Sequence, residues 1–356
     1  MLRQFNTDCE GPISKNDNAF ELAEEFIPQG GEFFAKLSKY DDFLADIAKK
    51  PGYKAGDTLR LILPFFKAYG VTDADIGGFS SQNILLVPKA DTALEYIRAI
   101  MPAFIISTSY RPYINSLCET IGFPVENTYC TELALDEYQI PQSEIEYLKE
   151  LHHEILTLPA IEFPASAAAR EDLDDGSITC IDRLDKIFWE EFPGMASGKL
   201  LEDVNPIGGF EKADAVKKSC EKTGVQLSNV MYVGDSITDM DAFKLVRNAS
   251  GLAVSFNGNR YAIEAADVAC ISPNALILAA LALMFGGGGA ESVCTLASEW
   301  ESGKLGLENA MKRSLPGFSV QGTSLYLVED SDLEELVSRS ESFRKTVRGE
   351  RIGRLG

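Results

Sequence analysis

The sequence predicts an α/β protein: a doubly wound parallel sheet with a helical bundle inserted after its first strand. Three observations lead there. Apolar β-prone runs alternate with amphipathic helical runs along much of the chain, the pattern of a parallel sheet covered by helices on both faces. A stretch from about residue 18 to 69 is helical throughout, with no strand inside it. The residues able to do chemistry fall just after the strands, where an open α/β sheet holds its ligand.

Residues 2–7 are expected to form a short first strand leading into Asp8, although Asn6 and Thr7 lower its β propensity. "AFELAEEFI", "GEFFAKLSKYDDFLADIAKK" and "DTLRLILPFFKAYG" place apolar residues three and four apart, with breaks at Pro28-Gln29-Gly30 and Pro51-Gly52. Their Phe and Leu stripes predict the core of a small bundle. "KADTALEYIRAI" after Pro88 is a helix, and residues 103–106 of "AFIISTSY" are a buried parallel strand stopping at Ser107-Thr108-Ser109. A helix from about Tyr113 to Ile121 and a strand near 127–133 continue the alternation. Residues 136–198 read as an insertion containing the helical "SEIEYLKELHHEIL" and the irregular acidic "REDLDDGS". The alternation resumes with helix "EKADAVKKSCEKTG", strand "NVMYVG", turn "DSITDMDAF", a further helix, strand "GLAVSF" and the segment "EAADVACIS".

The apolar run "ALILAALALMF" at 275–285 is too short to span a bilayer and predicts a buried helix. Glycines 286–289 predict a flexible hinge into a C-terminal appendage. Near its end Arg339, Arg344, Lys345, Arg348, Arg351 and Arg354 outnumber Glu341 and Glu350, a pattern expected of a solvated, frayed helix end. His152 and His153, the only histidines, are adjacent on a charged helix, so their side chains diverge and are expected at the surface.

With 45% hydrophobic residues in 356, the chain can build a substantial core. A formal charge of −21 argues against nucleic acid or an anionic membrane as partner, since both call for Lys and Arg. The 7 cysteines are scattered singly, with no C-x-x-C pair, which fits reduced thiols. The N-terminus lacks the basic and apolar regions of a signal peptide, so a cytoplasmic location is expected. No G-x-x-x-x-G-K-[ST] or G-x-G-x-x-G motif supports a nucleotide-binding loop.

Three loops carry the chemistry. Asp8 and Glu10 follow the first strand, Ser107 and Thr108 the second, and Asp235, Asp239 and Asp241 lie in "YVGDSITDMD". Lys212 opens the helix before that last strand. These residue types suit phosphoryl transfer. A carboxylate can attack phosphorus and form an acyl-phosphate. Carboxylate and phosphate repel, so a hard cation such as Mg²⁺ belongs between them. Hydroxyls and a Lys ammonium can hold the remaining phosphoryl oxygens, and a second acid can protonate the departing oxygen. Each signal alone is weak; in this order at successive strand ends they are strong.

Together these segments resemble the haloacid dehalogenase superfamily of phosphatases, and within it the phosphoserine-phosphatase-like branch. "TDCEGPISKND" is similar to the first motif, Asp-x-Asp-x-Thr, and "FIISTSYRPY" to the second, a strand ending in Ser or Thr. Lys212 matches the third motif and "VGDSITD" the fourth, while "ILLVPKADTALEYI" resembles the helix start that precedes the second motif. The resemblance covers roughly 1–135 and 200–275. It implies a Rossmann-like core at 1–14, 84–135 and 200–288, a helical cap at 15–83, a further insertion at 136–199 and an appendage at 289–356.

It further implies Asp8 as nucleophile, Glu10 as acid/base, and Ser107, Thr108 and Lys212 as the phosphate site. Mg²⁺ would sit on Asp8, the Glu10 carbonyl, Asp235 and Asp239, and Asp17 and Arg60 would contact substrate. Two positions depart from the pattern: Glu10 stands where the family has Asp, and Pro12 where it has Thr. The expected activity is Mg²⁺-dependent hydrolysis of a small cytosolic phosphomonoester through an aspartyl-phosphate. The alternative is a catalytically weak relative that binds a phosphorylated metabolite or a protein partner. A small phosphorylated metabolite is the expected partner, with a homo-oligomer left open.

Overall fold

The computed structural model describes residues 2–164, 167–350 and 352–354; Arg351 of the basic C-terminal stretch lies outside them. Seven strands form one sheet: β1 (Gln4–Thr7), β2 (Ala103–Tyr110), β3 (Thr128–Thr131), β4 (Val230–Gly234), β5 (Leu252–Phe256), β6 (Val268–Ile271) and β7 (Ser324–Leu327). Their order is β3-β2-β1-β4-β5-β6-β7, with β7 antiparallel to β6 and the others parallel. β2 runs three residues beyond Ser107, where the sequence predicts a stop.

β1 holds a central position in spite of its polar sequence. Phe5 enters the apolar core on one face, while Gln4 and Asn6 point to the other. Their amides donate to Ser219 Oγ at 2.7 and 2.8 Å, and Gln4 Oε1 accepts from Thr223 Oγ1 at 2.6 Å. Buried amides are tolerable here because the helix Phe210–Thr223 supplies hydroxyl partners at matching positions.

Helices Ala90–Ile100, Arg111–Ile121 and Leu276–Ser298 cover one face of the sheet, and Phe210–Thr223 and Met240–Asn248 the other. The predicted glycine hinge narrows to one residue: the helix from Leu276 continues through Gly286, Gly287 and Gly288, and a kink at Gly289, whose φ of 75° and ψ of −162° are open to glycine, separates it from the helix that runs on to Ser298. By length and composition Leu276–Ser298 could cross a membrane, but Leu276 to Ala282 and Phe285 pack in the sheet's core.

The segment after residue 289 is not an appendage in space. It adds β7 to the sheet edge and ends in helix Leu333–Arg348, whose Leu336 and Val337 pack on Ile263, Ala269 and Ile271.

Segments 15–83 and 136–199, set apart in the sequence, share one hydrophobic core. Phe33, Phe65 and Leu61 of the first pack in it with Leu151, Ile181, Phe188 and Phe192 of the second. The expectation of two surface histidines is half overturned, for His152 is fully buried. Its Nδ1 meets Tyr69 OH at 2.8 Å and its ring lies edge-on to Phe33, with centroids 4.8 Å apart. Burial, and secondarily His153, hold its pKa down to about 4. A histidine kept neutral packs as an aromatic ring, which a charged-helix pattern does not reveal.

Candidate active site

The strand order reverses direction at β1, so the crevice beyond the carboxyl ends of β1 and β4 is where a ligand fits. Register decides what meets there. Thr7 pairs with Val233, and the Asp8 N–H donates to the Val233 carbonyl at 2.8 Å, which brings Asp8 beside the turn that begins at Asp235. The loop after Asp8 turns at Gly11, with φ of +108°; a Cβ there would lie 2.1 Å from Asp235 Oδ2. Glycine is therefore required twice over, by backbone conformation and by the carboxylate resting against it.

Lys212 is wholly buried and ties the two loops together, its Nζ 2.8 Å from Asp8 Oδ2 and 2.7 Å from Asp239 Oδ1. Burial opposes its charge, but Asp239 and Asp8 outweigh that and push its pKa up. The other Asp8 oxygen accepts the Cys9 N–H at 2.7 Å. Burial lifts the Asp8 pKa to about 7; Lys212 opposes the rise, and Asp239 and Asp235 add to it. Asp239 is the fixed wall of the site. Besides Lys212 it accepts Tyr232 OH at 2.7 Å, the Asp235 N–H at 2.9 Å and the Ser236 N–H at 3.1 Å.

Glu10 Oε1 accepts the Asn18 N–H at 2.7 Å. Burial, reinforced by Asp17, holds the Glu10 carboxyl well above the usual carboxylate range, with Arg348 opposing. Asp17 caps helix Asn18–Phe26 through the Phe20 N–H at 3.1 Å and still lines the cavity, so capping and cavity lining coexist.

The cavity, about 100 Å³, lies between these loops and the helical layer above them. Its lining from that layer includes Phe34, Ser38, Asp41, Asp42, Thr58 and Leu59. Asp41 accepts Tyr53 OH at 2.7 Å and the Gly56 N–H at 2.9 Å; burial, then Asp57, pushes its pKa up to about 7.

Four of the sequence-predicted residues do not line the cavity: Lys212 and Asp239 lie behind Asp8, tied to it through the Lys212 ammonium, while Ser107 and Arg60 stand apart. Ser107 does not line the cavity: its Oγ accepts the Ser109 N–H at 3.1 Å, while Thr108 faces the cavity. Arg60, expected to contact substrate, is drawn off by Asp57 at 2.5 Å and the Leu201 carbonyl at 3.1 Å, and does not line the cavity. Its guanidinium braces two segments of the helical layer instead.

Sequence reasoning missed Arg344 and Arg348. Rather than fraying in solvent, both line the cavity and bind Asp235 Oδ2, Arg344 closely and Arg348 at 3.2 Å. The signal was present in the spacing. Leu336, Val337, Ser340, Arg344 and Arg348 fall on one helical stripe, so the arginines continue the face that packs inward.

Asp8, Asp235 and Asp239 present carboxylate oxygens within 4.8 Å of one another, all from buried residues. An anionic, all-oxygen donor set at that spacing fits a small hard divalent cation such as Mg²⁺.

The family description that matches the chain is haloacid dehalogenase-like hydrolase, over residues 114–275, a span that contains Lys212, Asp235 and Asp239. The solved structure of gene product AF1437 from Archaeoglobus fulgidus superposes with a TM-score of 0.82 at 30% identity, covering 100% of this chain and 99% of that one. An apo phosphoserine phosphatase superposes at a TM-score of 0.44 and 13% identity, covering 76% of this chain and 93% of its own. A phospho-aspartyl intermediate analogue of phosphoserine phosphatase gives 0.43 and 14%, covering 75% and 92%. Among curated proteins none matches this sequence.

Proposed function

Because the chain belongs to the haloacid dehalogenase-like hydrolases, we propose that it hydrolyses a small phosphomonoester through a phosphorylated Asp8. The observation that carries this reading is the buried ammonium of Lys212, which joins Asp8 at 2.8 Å to Asp239 at 2.7 Å beside the carboxyl ends of β1 and β4. Such a constellation holds a carboxylate nucleophile still and offers positive charge to the group it attacks.

Asp8 is held through both oxygens, by Lys212 and by the Cys9 N–H, and each oxygen keeps a lone pair. One of these attacks phosphorus. The bond from phosphorus to the leaving oxygen breaks, and that oxygen takes its proton from Glu10. Burial keeps Glu10 protonated at pH values where an ordinary glutamate is ionised, the state a general acid needs. Glu10, now a carboxylate, then takes a proton from water, whose oxygen attacks the phosphorus of the acyl-phosphate. Free phosphate leaves and Asp8 is restored. Thr108, which lines the cavity, would donate to the phosphoryl oxygens, and Lys212, buried against Asp8, would add positive charge beside them.

Mg²⁺, held by Asp8, the Glu10 carbonyl and Asp235 with Asp239 behind them, would supply the charge that lets a carboxylate approach a phosphate. The small cavity supports a small metabolite as substrate. The 7 cysteines, all free, support a reducing, cytoplasmic setting.

The arginines on Asp235 favour one competing reading, a binding protein with little turnover. Hydrolysis of p-nitrophenyl phosphate with and without Mg²⁺ separates the two. Activity that falls at least about a hundredfold in Asp8→Asn and disappears in EDTA is the expected result. Turnover that survives Asp8→Asn sinks the mechanism, and a wild-type protein that binds phosphate without turnover favours the competing reading.

A further inference from the structure

The acidic chain sends two arginines of its basic end, Arg344 and Arg348, into an acidic cavity. The lining includes the carboxyl groups of Asp8, Glu10, Asp17, Asp41, Asp42 and Asp235, and among the described residues its cationic side chains are Arg344 and Arg348. Those side chains are 3% and 6% exposed. Both reach the same oxygen, Asp235 Oδ2, and Arg344 Nη1 also donates to the Asp235 carbonyl at 3.0 Å. Arg348 spans the gap to the first loop, donating from Nε to the Lys15 carbonyl at 3.2 Å and from Nη2 to the Asn16 carbonyl.

Buried guanidinium groups are retained where carboxylates compensate them, and buried carboxylates likewise require a cation. We propose that Arg344 and Arg348 are the site's resident counter-cation, and that Mg²⁺ and the docked end of the C-terminal helix compete for Asp235. This rests on the reading of Asp235 as a metal ligand. One carboxylate oxygen that already holds two guanidinium groups cannot also give a divalent ion an unopposed ligand. The ion and two positive charges would lie within a few ångströms of each other in a water-poor cavity, where their repulsion is poorly screened.

The helix is built so that only its end need move. Its first half is fixed by Leu336 and Val337 in an apolar cluster, by Ser340 Oγ donating to the Gly258 carbonyl at 2.6 Å, and by Glu334 paired with Arg260 at 2.6 Å. The helix stops at Gly349, with φ of +89°, immediately after Arg348. The arginines lie in the final turns of the helix, beyond the turns that anchor it to β6 and its neighbours. Metal binding would release the last turn and vacate the cavity beside Asp235 for substrate.

Linkage makes the effect reciprocal: whatever factor the arginines subtract from metal affinity, the metal subtracts from their docking. The test is Mg²⁺ titration by calorimetry of the wild-type protein, Arg344→Gln and Arg348→Gln, with tryptic cleavage after Arg344 and Arg348 followed in the wild type with and without Mg²⁺. The expected result is metal binding tightened on the order of tenfold in each variant, within the usual range of such couplings, and faster cleavage when Mg²⁺ is present. Damage to a merely structural contact would weaken metal binding, so the sign decides. Unchanged or weaker binding in variants with wild-type circular dichroism overturns the proposal. So does Mg²⁺ that shields the C-terminal arginines from trypsin, a result that also decides the matter if the variants do not fold. Binding of Mg²⁺ that Asp235→Asn leaves intact, or no binding in any form, overturns the metal reading and this proposal with it.

Discussion

Replacing Lys212 with methionine removes the one ammonium shared by Asp8 and Asp239 while keeping a side chain of similar length. Lys212 is fully buried, and both carboxylates it bridges lie within 2.8 Å of its Nζ. Breaking a buried pair by deleting one partner leaves an uncompensated charge, at about 3–5 kcal/mol. Here two carboxylates lose their partner, but Asp239 retains three other donors, so the lower half of that range is expected.

The loss should depend on pH, and its sign is set by Asp8. Its pKa is already raised to about 7 in the fold, chiefly by burial, from an ordinary aspartate's 3.8. A carboxyl raised in this way adds stability below its unfolded value and loses it as pH rises through the folded one. Without Lys212 the folded value rises further, so the variant should lose more at pH 8 than at pH 5, where protonation of Asp8 relieves the repulsion. Urea denaturation at the two pH values reads this directly, and p-nitrophenyl phosphate turnover should fall in parallel. A loss under about 1 kcal/mol, or one equal at both pH values, would refute the assignment of Lys212 as the charge that holds Asp8 ionised.

Three further outcomes are expected. Glu10→Gln should slow ordinary phosphomonoesters by about two to four decades and p-nitrophenyl phosphate by less, because nitrophenolate leaves without a proton; equal losses would make Glu10 structural, while strong activity created by Glu10→Asp in an inactive wild type would favour the binding-protein reading. Gly11→Ala should abolish metal binding and turnover even where the protein folds, since its Cβ would be forced to within 2.1 Å of Asp235 Oδ2, and calorimetry showing normal Mg²⁺ affinity would contradict it. His152, neutral in the fold with a pKa near 4, withdraws stability as pH falls below its unfolded value near 6.5. By pH 5 that amounts to about 2 kcal/mol, so the stability gap between wild type and His152→Phe should narrow by this much from pH 7.5 to pH 5.

Alternation of apolar runs and amphipathic helices was enough to predict the parallel sheet, because strand and helix periods are local properties. The chemistry-bearing loops were legible for a related reason: a strand end is a position in sequence as well as in space, so Asp8, Thr108 and Asp235 could be placed at one crevice from spacing alone. What the tertiary structure decided is which partner each side chain takes, whether near in the chain or far from it. Arg60 has the right residue type for an anion but is claimed by its neighbour Asp57, and Ser107 spends its hydroxyl on the Ser109 N–H. Glycines 286–288 belong to a helix because Leu276–Ala282 and Phe285 are already packed against the sheet.

The basic end of the chain shows the limit most clearly. Composition predicts that charged residues near a terminus stay in water, which holds when nothing buried needs them. Asp235 lies more than a hundred residues upstream, and only the fold brings its uncompensated carboxylate to Arg344 and Arg348. Whether a charge is buried depends on its partner, and partnership across that separation is settled by topology, to which residue type and local period are blind.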